Sequence, residues 1–161
     1  MAGAVRAYVG LTKPRIVLLL LVTTVPAMLL AQGGWPPSWT MVATLVGGAL
    51  AAGGANALNC YFDRDIDSVM LRTRGRPIPA GTVEPERALA FGLALGALGV
   101  LLMQAAVGTL AALLTIAAYA FYVLVYTLTL KRTTPLNIVI GGAAGAMPPV
   151  IGWAAVRDEV G

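Results

Sequence analysis

Asn59, Asp63 and Asp67 stand four residues apart in a polar stretch between two apolar ones. Four residues turn an α-helix through about 400°, a net drift of about 40°, so a helix here places all three on one face over two turns. Asp65 then points roughly the opposite way. Two carboxylates and an amide oxygen make an all-oxygen cluster. Such a cluster suits Mg²⁺, which takes one or two carboxylates and fills its shell with water and substrate phosphates. Arg72, Arg74 and Arg76 follow directly, and Lys131 and Arg132 stand on another polar loop. Arginine offers a planar fork to phosphate oxygens. Asn59, Asp63 and Asp67 are candidate metal ligands, Asp63 and Asp67 candidate catalytic carboxylates, and the basic residues a candidate cradle for a diphosphate. In the competing reading, Asp63, Asp65 and Asp67 form a solvated helix end paired with Arg64 and its neighbours. The arginines would then be membrane-surface anchors, which is the main role expected of Arg74 and Arg87. Three carboxylates within five residues repel one another and invite a cation.

The elements that must hold this cluster are membrane helices. Hydrophobic residues make up 58% of the 161 and charged residues 11%, with mean hydropathy +0.83. A soluble domain carries about 25% charged residues, so this much apolar surface needs a bilayer. The expected fold is an all-α, polytopic transmembrane helical bundle with five spans, at residues 16–33, 39–58, 88–107, 110–130 and 136–156. Each is near the length that crosses a bilayer. The first span has the basic flank of a signal peptide (Arg6, Lys13, Arg15), but four more spans follow it, so it is read as a retained helix. The chain has no histidine and one cysteine, Cys60. That excludes a Ser-His triad, His-ligated zinc or haem, an internal disulfide and a cysteine-rich metal site. Basic residues flank the spans and cover no folded face, so no nucleic-acid partner is expected.

Local signals refine the elements. Thr12, Thr82 and Thr134 precede Pro14, Pro85 and Pro135 and are candidate helix caps. Asn137 can help cap the last span. Pro148 and Pro149 should kink that span. Gly92-xxx-Gly96 and Gly141-xxx-Gly145 are candidate close-packing faces, within the chain rather than between copies. Tyr119, Tyr122 and Tyr126 share a helix face and read first as interior packing, second as a ligand wall. Cys60 reads as a packed thiol.

Residues 56–81, NALNCYFDRDIDSVMLRTRGRPIPAG, resemble the first aspartate-rich motif of the UbiA-type intramembrane prenyltransferases. Residues 11–16, LTKPRI, and 126–153, YTLTLKRTTPLNIVIGGAAGAMPPVIGW, resemble more narrowly the branch that farnesylates protohaem. The resemblance implies farnesyl diphosphate as donor, haem b as acceptor and Mg²⁺ as cofactor. It implies Asn59, Asp63 and Asp67 as the metal site, and Arg72, Arg76 and Lys131 as the diphosphate partners. It also implies that residues 1–161 are the N-terminal part of a single membrane-embedded domain, a fragment inactive by itself. Two alternatives stand beside this: a related enzyme prenylating a quinone precursor or another acceptor such as a chlorophyll-type alcohol, and a non-catalytic membrane assembly module docking through its acidic loop.

Charge sets the orientation. With the N-terminus in the cytoplasm, ten of the 11 Lys and Arg residues lie inside, and only Arg157 lies outside. The positive-inside rule favours that arrangement in the cytoplasmic membrane, with the aspartate motif on the cytoplasmic side. Cysteine placed at position 74 should therefore react with an impermeant reagent only from the cytoplasmic face, and at position 159 only from the outer face. Labelling of position 74 from outside would refute this topology.

Overall fold

The computed structural model describes residues 2–160. In bilayer hydrocarbon a chain satisfies its backbone internally, and these apolar runs do so as helices. The order is α1 (Ala2–Thr12), α2 (Pro14–Gln32), α3 (Ser38–Phe62), α4 (Arg64–Val69), α5 (Pro85–Ala106) and α6 (Thr109–Ala120). A π-helical segment (Phe121–Leu130), α7 (Lys131–Thr133) and α8 (Asn137–Arg157) complete it. Five helical stretches are long and apolar enough to cross a membrane: Pro14–Gln32, Ser38–Phe62, Pro85–Ala106, Thr109–Thr133 and Asn137–Arg157. These are the five expected spans with shifted ends. The largest shift is in α3, which carries on past residue 58 to bring Asn59 onto the helix.

The spans pack around α3, the most buried of them. Its closest partner is α5, while α2 packs on α8, and α6 with the π-helical segment lies against α8 and α3. The α3–α5 crossing is made by glycine. A Cβ on Gly54 would stand 2.6 Å from both the Gly92 oxygen and the Gly96 nitrogen, and one on Gly99 would stand 2.6 Å from the Ala51 nitrogen. The two backbones touch where no side chain intervenes, as small residues permit in membrane helices. Gly92-xxx-Gly96 is thus spent inside the chain. Gly141-xxx-Gly145 differs from expectation: Gly141 lies under the Tyr126 ring, and Gly145 has open space where a Cβ would point.

The helix starts also differ. Thr12 ends α1, its hydroxyl donating to the Val9 carbonyl at 2.8 Å, and Lys13 takes the cap position of α2 with a left-handed backbone. The sequence signal for α1 was absent because this helix lies outside the spans. Thr82 donates to the Pro77 carbonyl at 2.8 Å, leaving Glu84 at the cap and Pro85 in the first turn of α5. Thr134 does accept at a helix start, from the Leu136 amide at 3.2 Å, and Asn137 donates to the Thr134 carbonyl at 2.8 Å. Helix α8 runs through Pro148 and Pro149 as one element. Pro148 borders a central cavity, a setting in which a helix tolerates a lost N–H.

The glycine crossing yields a stability prediction. Gly54→Ala forces two backbones apart and should destabilise the protein by about 1–3 kcal/mol, the usual cost of overpacking. Gly145→Ala meets no atom and gains helix propensity, so it should be neutral or slightly stabilising. Thermal unfolding in detergent compares the two; equal effects would contradict the crossing.

Candidate functional site

The helical ladder continues across the aspartate motif. The Asp63 amide donates to the Asn59 carbonyl at 2.9 Å, and the Asp67 amide to the Asp63 carbonyl at 2.8 Å. Asn59, Asp63 and Asp67 therefore share one face, and all three are buried, at 3%, 0% and 2% exposure. Asp65 faces outward with its side chain 59% exposed. Helical phase separates the three acids as the spacing requires.

Asn59, Asp63 and Asp67 each receive one cationic side chain from outside α3. Lys131, from α7, donates to Asp63 Oδ2. Arg76 Nη1 donates to Asp67 Oδ2 at 2.6 Å. Lys13 Nζ donates to Asn59 Oδ1 at 2.5 Å. The Asn59 amide donates in turn to Asp63 Oδ2 at 2.8 Å and to Thr127 Oγ1 at 3.2 Å. Arg132 turns outward and forks onto Asp65, at 2.8 and 2.9 Å. The hydrogen bond from Arg132 lowers the Asp65 carboxyl to about 2. Burial pushes the Lys13 ammonium below its ordinary value, with Arg76 and Lys131 adding to the effect.

The remaining basic residues divide clearly. Arg64 donates to the Tyr61 carbonyl at 2.8 Å and stacks over the Tyr61 ring, so it does not neutralise the acids as the solvated-end reading requires. Arg87 pairs with Glu84 at 2.7 Å at the surface. Arg72 and Arg74 are exposed, and among the described residues neither forms an ion pair. Arg76 and Lys131 thus join the carboxylates, while Arg72 stands apart from them. Cys60 is packed in an apolar cluster with Leu11, Ala57 and Ile78.

Two participants escaped the sequence reading. Lys13 reads there as a topological charge, and its reach to Asn59 spans 46 residues of chain. Its signal is weak: a lysine directly before Pro14, inside one of the segments that carried the resemblance. Thr127 is fully buried and accepts from Asn59 because a π-helical turn brings it there. Its hydroxyl donates to the Tyr122 carbonyl, five residues back, at 2.9 Å. No pattern of residue types announces such a turn, although π-bulges concentrate at functional sites.

A cavity of 340 Å³ lies between α2, α3, α6, the π-helical segment and α8, and meets α3 as far along as Asn56, about one turn before Asn59. Leu20, Ala55 and Ile138 give it apolar walls, and Asn56, Tyr122 and Tyr126 border it. Tyr122 and Tyr126 stack with ring centroids 5.3 Å apart, so these two form a wall. Tyr119 borders the cavity too, and its hydroxyl also donates to the Gly92 carbonyl of α5 at 3.1 Å.

The donor set fits a hard divalent cation. Asp63 Oδ1 is buried without a hydrogen-bond partner, an acceptor whose burial is costly unless something binds it. Among the described residues no three acidic, cysteine or histidine side chains converge. Two carboxylates and an amide match the few protein ligands that Mg²⁺ takes beside phosphate and water.

Residues 20–161 match the model of the UbiA prenyltransferase family, and the chain belongs to that family. Members of it generally use divalent metal ions with diphosphate substrates. The chain is 62% identical to the protoheme IX farnesyltransferase of Salinispora tropica over 160 residues, which are 99% of this chain and 50% of that protein. It is 55% identical to that of Clavibacter sepedonicus, over 99% of this chain and 52% of the relative. For that of Frankia alni the figures are 56%, 100% and 56%. The chain spans about half the length of the curated relatives it matches. A solved structure of digeranylgeranylglyceryl phosphate synthase superposes with a TM-score of 0.85 at 18% identity, covering 94% of this chain and 53% of that one. At that identity the likeness is one of fold.

Burial sets unequal costs for losing charge partners. Lys131→Gln leaves the Asp63 carboxylate buried without its cation and should destabilise the protein by about 3 kcal/mol. Arg132→Gln breaks an exposed pair and should cost about 0–1 kcal/mol. Unfolding in detergent at neutral pH measures both. Equal small effects would mean that Asp63 does not depend on Lys131.

Proposed function

We propose that the complete protein transfers a farnesyl group from farnesyl diphosphate to a vinyl group of haem b. The observation that carries the transfer is the buried Asn59–Asp63–Asp67 face, met by cations and about one helical turn from an apolar cavity that α3 borders at Asn56. The acceptor rests on the relatives, whose printed name is protoheme IX farnesyltransferase. In this reading Asn59, Asp63 and Asp67 hold Mg²⁺, while Arg76 and Lys131 bind diphosphate oxygens. Arg72 reaches the same diphosphate from the loop once substrate is present. The bound metal would neutralise charge on the departing diphosphate. Arg76 and Lys131 share that task in a site where water screens little. The cavity takes part of the isoprenoid tail, and its walls keep water from the allylic cation until the vinyl carbon attacks. Water then completes a hydroxyethylfarnesyl side chain.

The same reading places the N-terminus and the aspartate motif on the cytoplasmic side of the cytoplasmic membrane, because ten of 11 basic residues fall there. Residues 1–161 are proposed to be the N-terminal part of a single membrane-embedded domain. Its other part would complete the cavity, and without it the cation would meet water.

The test is to express the full-length gene in cells lacking this activity and extract the haems. A more hydrophobic haem, heavier by one farnesyl and one water, should appear. It should vanish with Asp63→Asn or Asp67→Asn and persist with Asp65→Asn. A prenylated quinone precursor with unchanged haem b would overturn the acceptor. Prenyl transfer that tolerates Asp63→Asn would overturn the site.

A further inference from the structure

Three features of Lys13 do not fit a membrane anchor. Its backbone is left-handed, at φ 53° and ψ 63°, a conformation that disfavours any residue with a Cβ. A turn that needed only this backbone would be cheaper with glycine or asparagine. Its ammonium points inward, half-buried, onto Asn59. The atom it meets is also specific. Lysine is a donor only, so it must face the amide oxygen. The amide nitrogen is already engaged by Asp63 and Thr127. Lys13 thus covers Oδ1, the one side-chain atom of Asn59 able to bind a hard cation.

We propose that Lys13 is a mobile counter-cation: it caps Asn59 Oδ1 while the site lacks metal, and moves to a diphosphate oxygen when a divalent ion takes Oδ1. This rests on the metal–diphosphate reading above. Asn59 Oδ1 is 2.5 Å from the ammonium, so a divalent ion on the same oxygen would be in repulsive contact with it. The flexible four-carbon stem lets the ammonium swing away. Lys131 and Arg76 stand in the same relation to Asp63 and Asp67. Three cations thus stand where they would oppose an incoming metal, and all three gain acceptors when diphosphate arrives. Metal and diphosphate therefore bind cooperatively, and the coupling is reciprocal. Lys13 differs from the other two because its present partner is neutral, so its removal leaves no buried carboxylate uncompensated.

Mn²⁺ binding to the full-length protein in detergent micelles, followed by electron paramagnetic resonance, tests this. Farnesyl thiodiphosphate, a slowly reacting analogue, serves as the diphosphate probe. Lys13→Met should tighten Mn²⁺ binding without the analogue, about threefold or more. It should weaken the analogue in the presence of Mn²⁺ by about tenfold, the scale of one lost charge-assisted hydrogen bond. Lys13→Arg should keep both affinities within about threefold of the parent, because the charge remains. Arg15→Met, an exposed neighbour, should change neither. Mn²⁺ affinity that is unchanged or weaker in Lys13→Met overturns the proposal. If Lys13→Met does not fold, a Lys13→Arg protein that has lost analogue binding overturns it. Asp63→Asn separates the two levels. If Mn²⁺ still binds after that change, the metal reading itself fails; if it does not, a negative result at Lys13 removes only this inference.

Discussion

The buried charge of Asp63 is the constraint on which the rest of the structure depends. A fully buried carboxylate at the end of a membrane helix loses its hydration, and that loss is tolerated only with close partners. Lys131 and Asn59 supply them on Oδ2, while Oδ1 has none. Satisfying one oxygen ties the end of α3 to α7 across 68 residues of sequence. Asp67 likewise holds the loop through Arg76. The polar cluster thus pins α3, α7 and the loop after α4 at one end of the bundle, where apolar contacts alone would set no orientation.

That cluster can form because α3 is held centrally. Glycines at 54, 92, 96 and 99 let α3 and α5 meet backbone to backbone, which leaves the opposite side of α3 free for the cavity and the π-helical segment. The wider π turn then aligns Thr127 with Asn59 and Lys131 with Asp63. Packing on one side of α3 and polar chemistry on the other are two consequences of one arrangement.

The sequence by itself determined the spans, since uninterrupted apolar length is enough to specify a membrane helix. It also determined which acids face inward, because a spacing of four puts Asn59, Asp63 and Asp67 on one face and Asp65 off it. Tertiary structure decided which base meets which acid. Lys13, Arg76 and Lys131 come from three separate segments; the motif resemblance pointed to Arg76 and Lys131, but nothing local showed that Lys13 would join them and Arg72 would stand apart. The left-handed turn at Lys13 and the π-helical register at Thr127 were illegible for the same reason. Local residue preferences disfavour or do not encode either one, so they persist only because packing around them compensates their cost. Helical phase is a property of one segment and can be counted along it. Charge partnership and backbone strain belong to the assembled bundle, and they exist only once its helices have met.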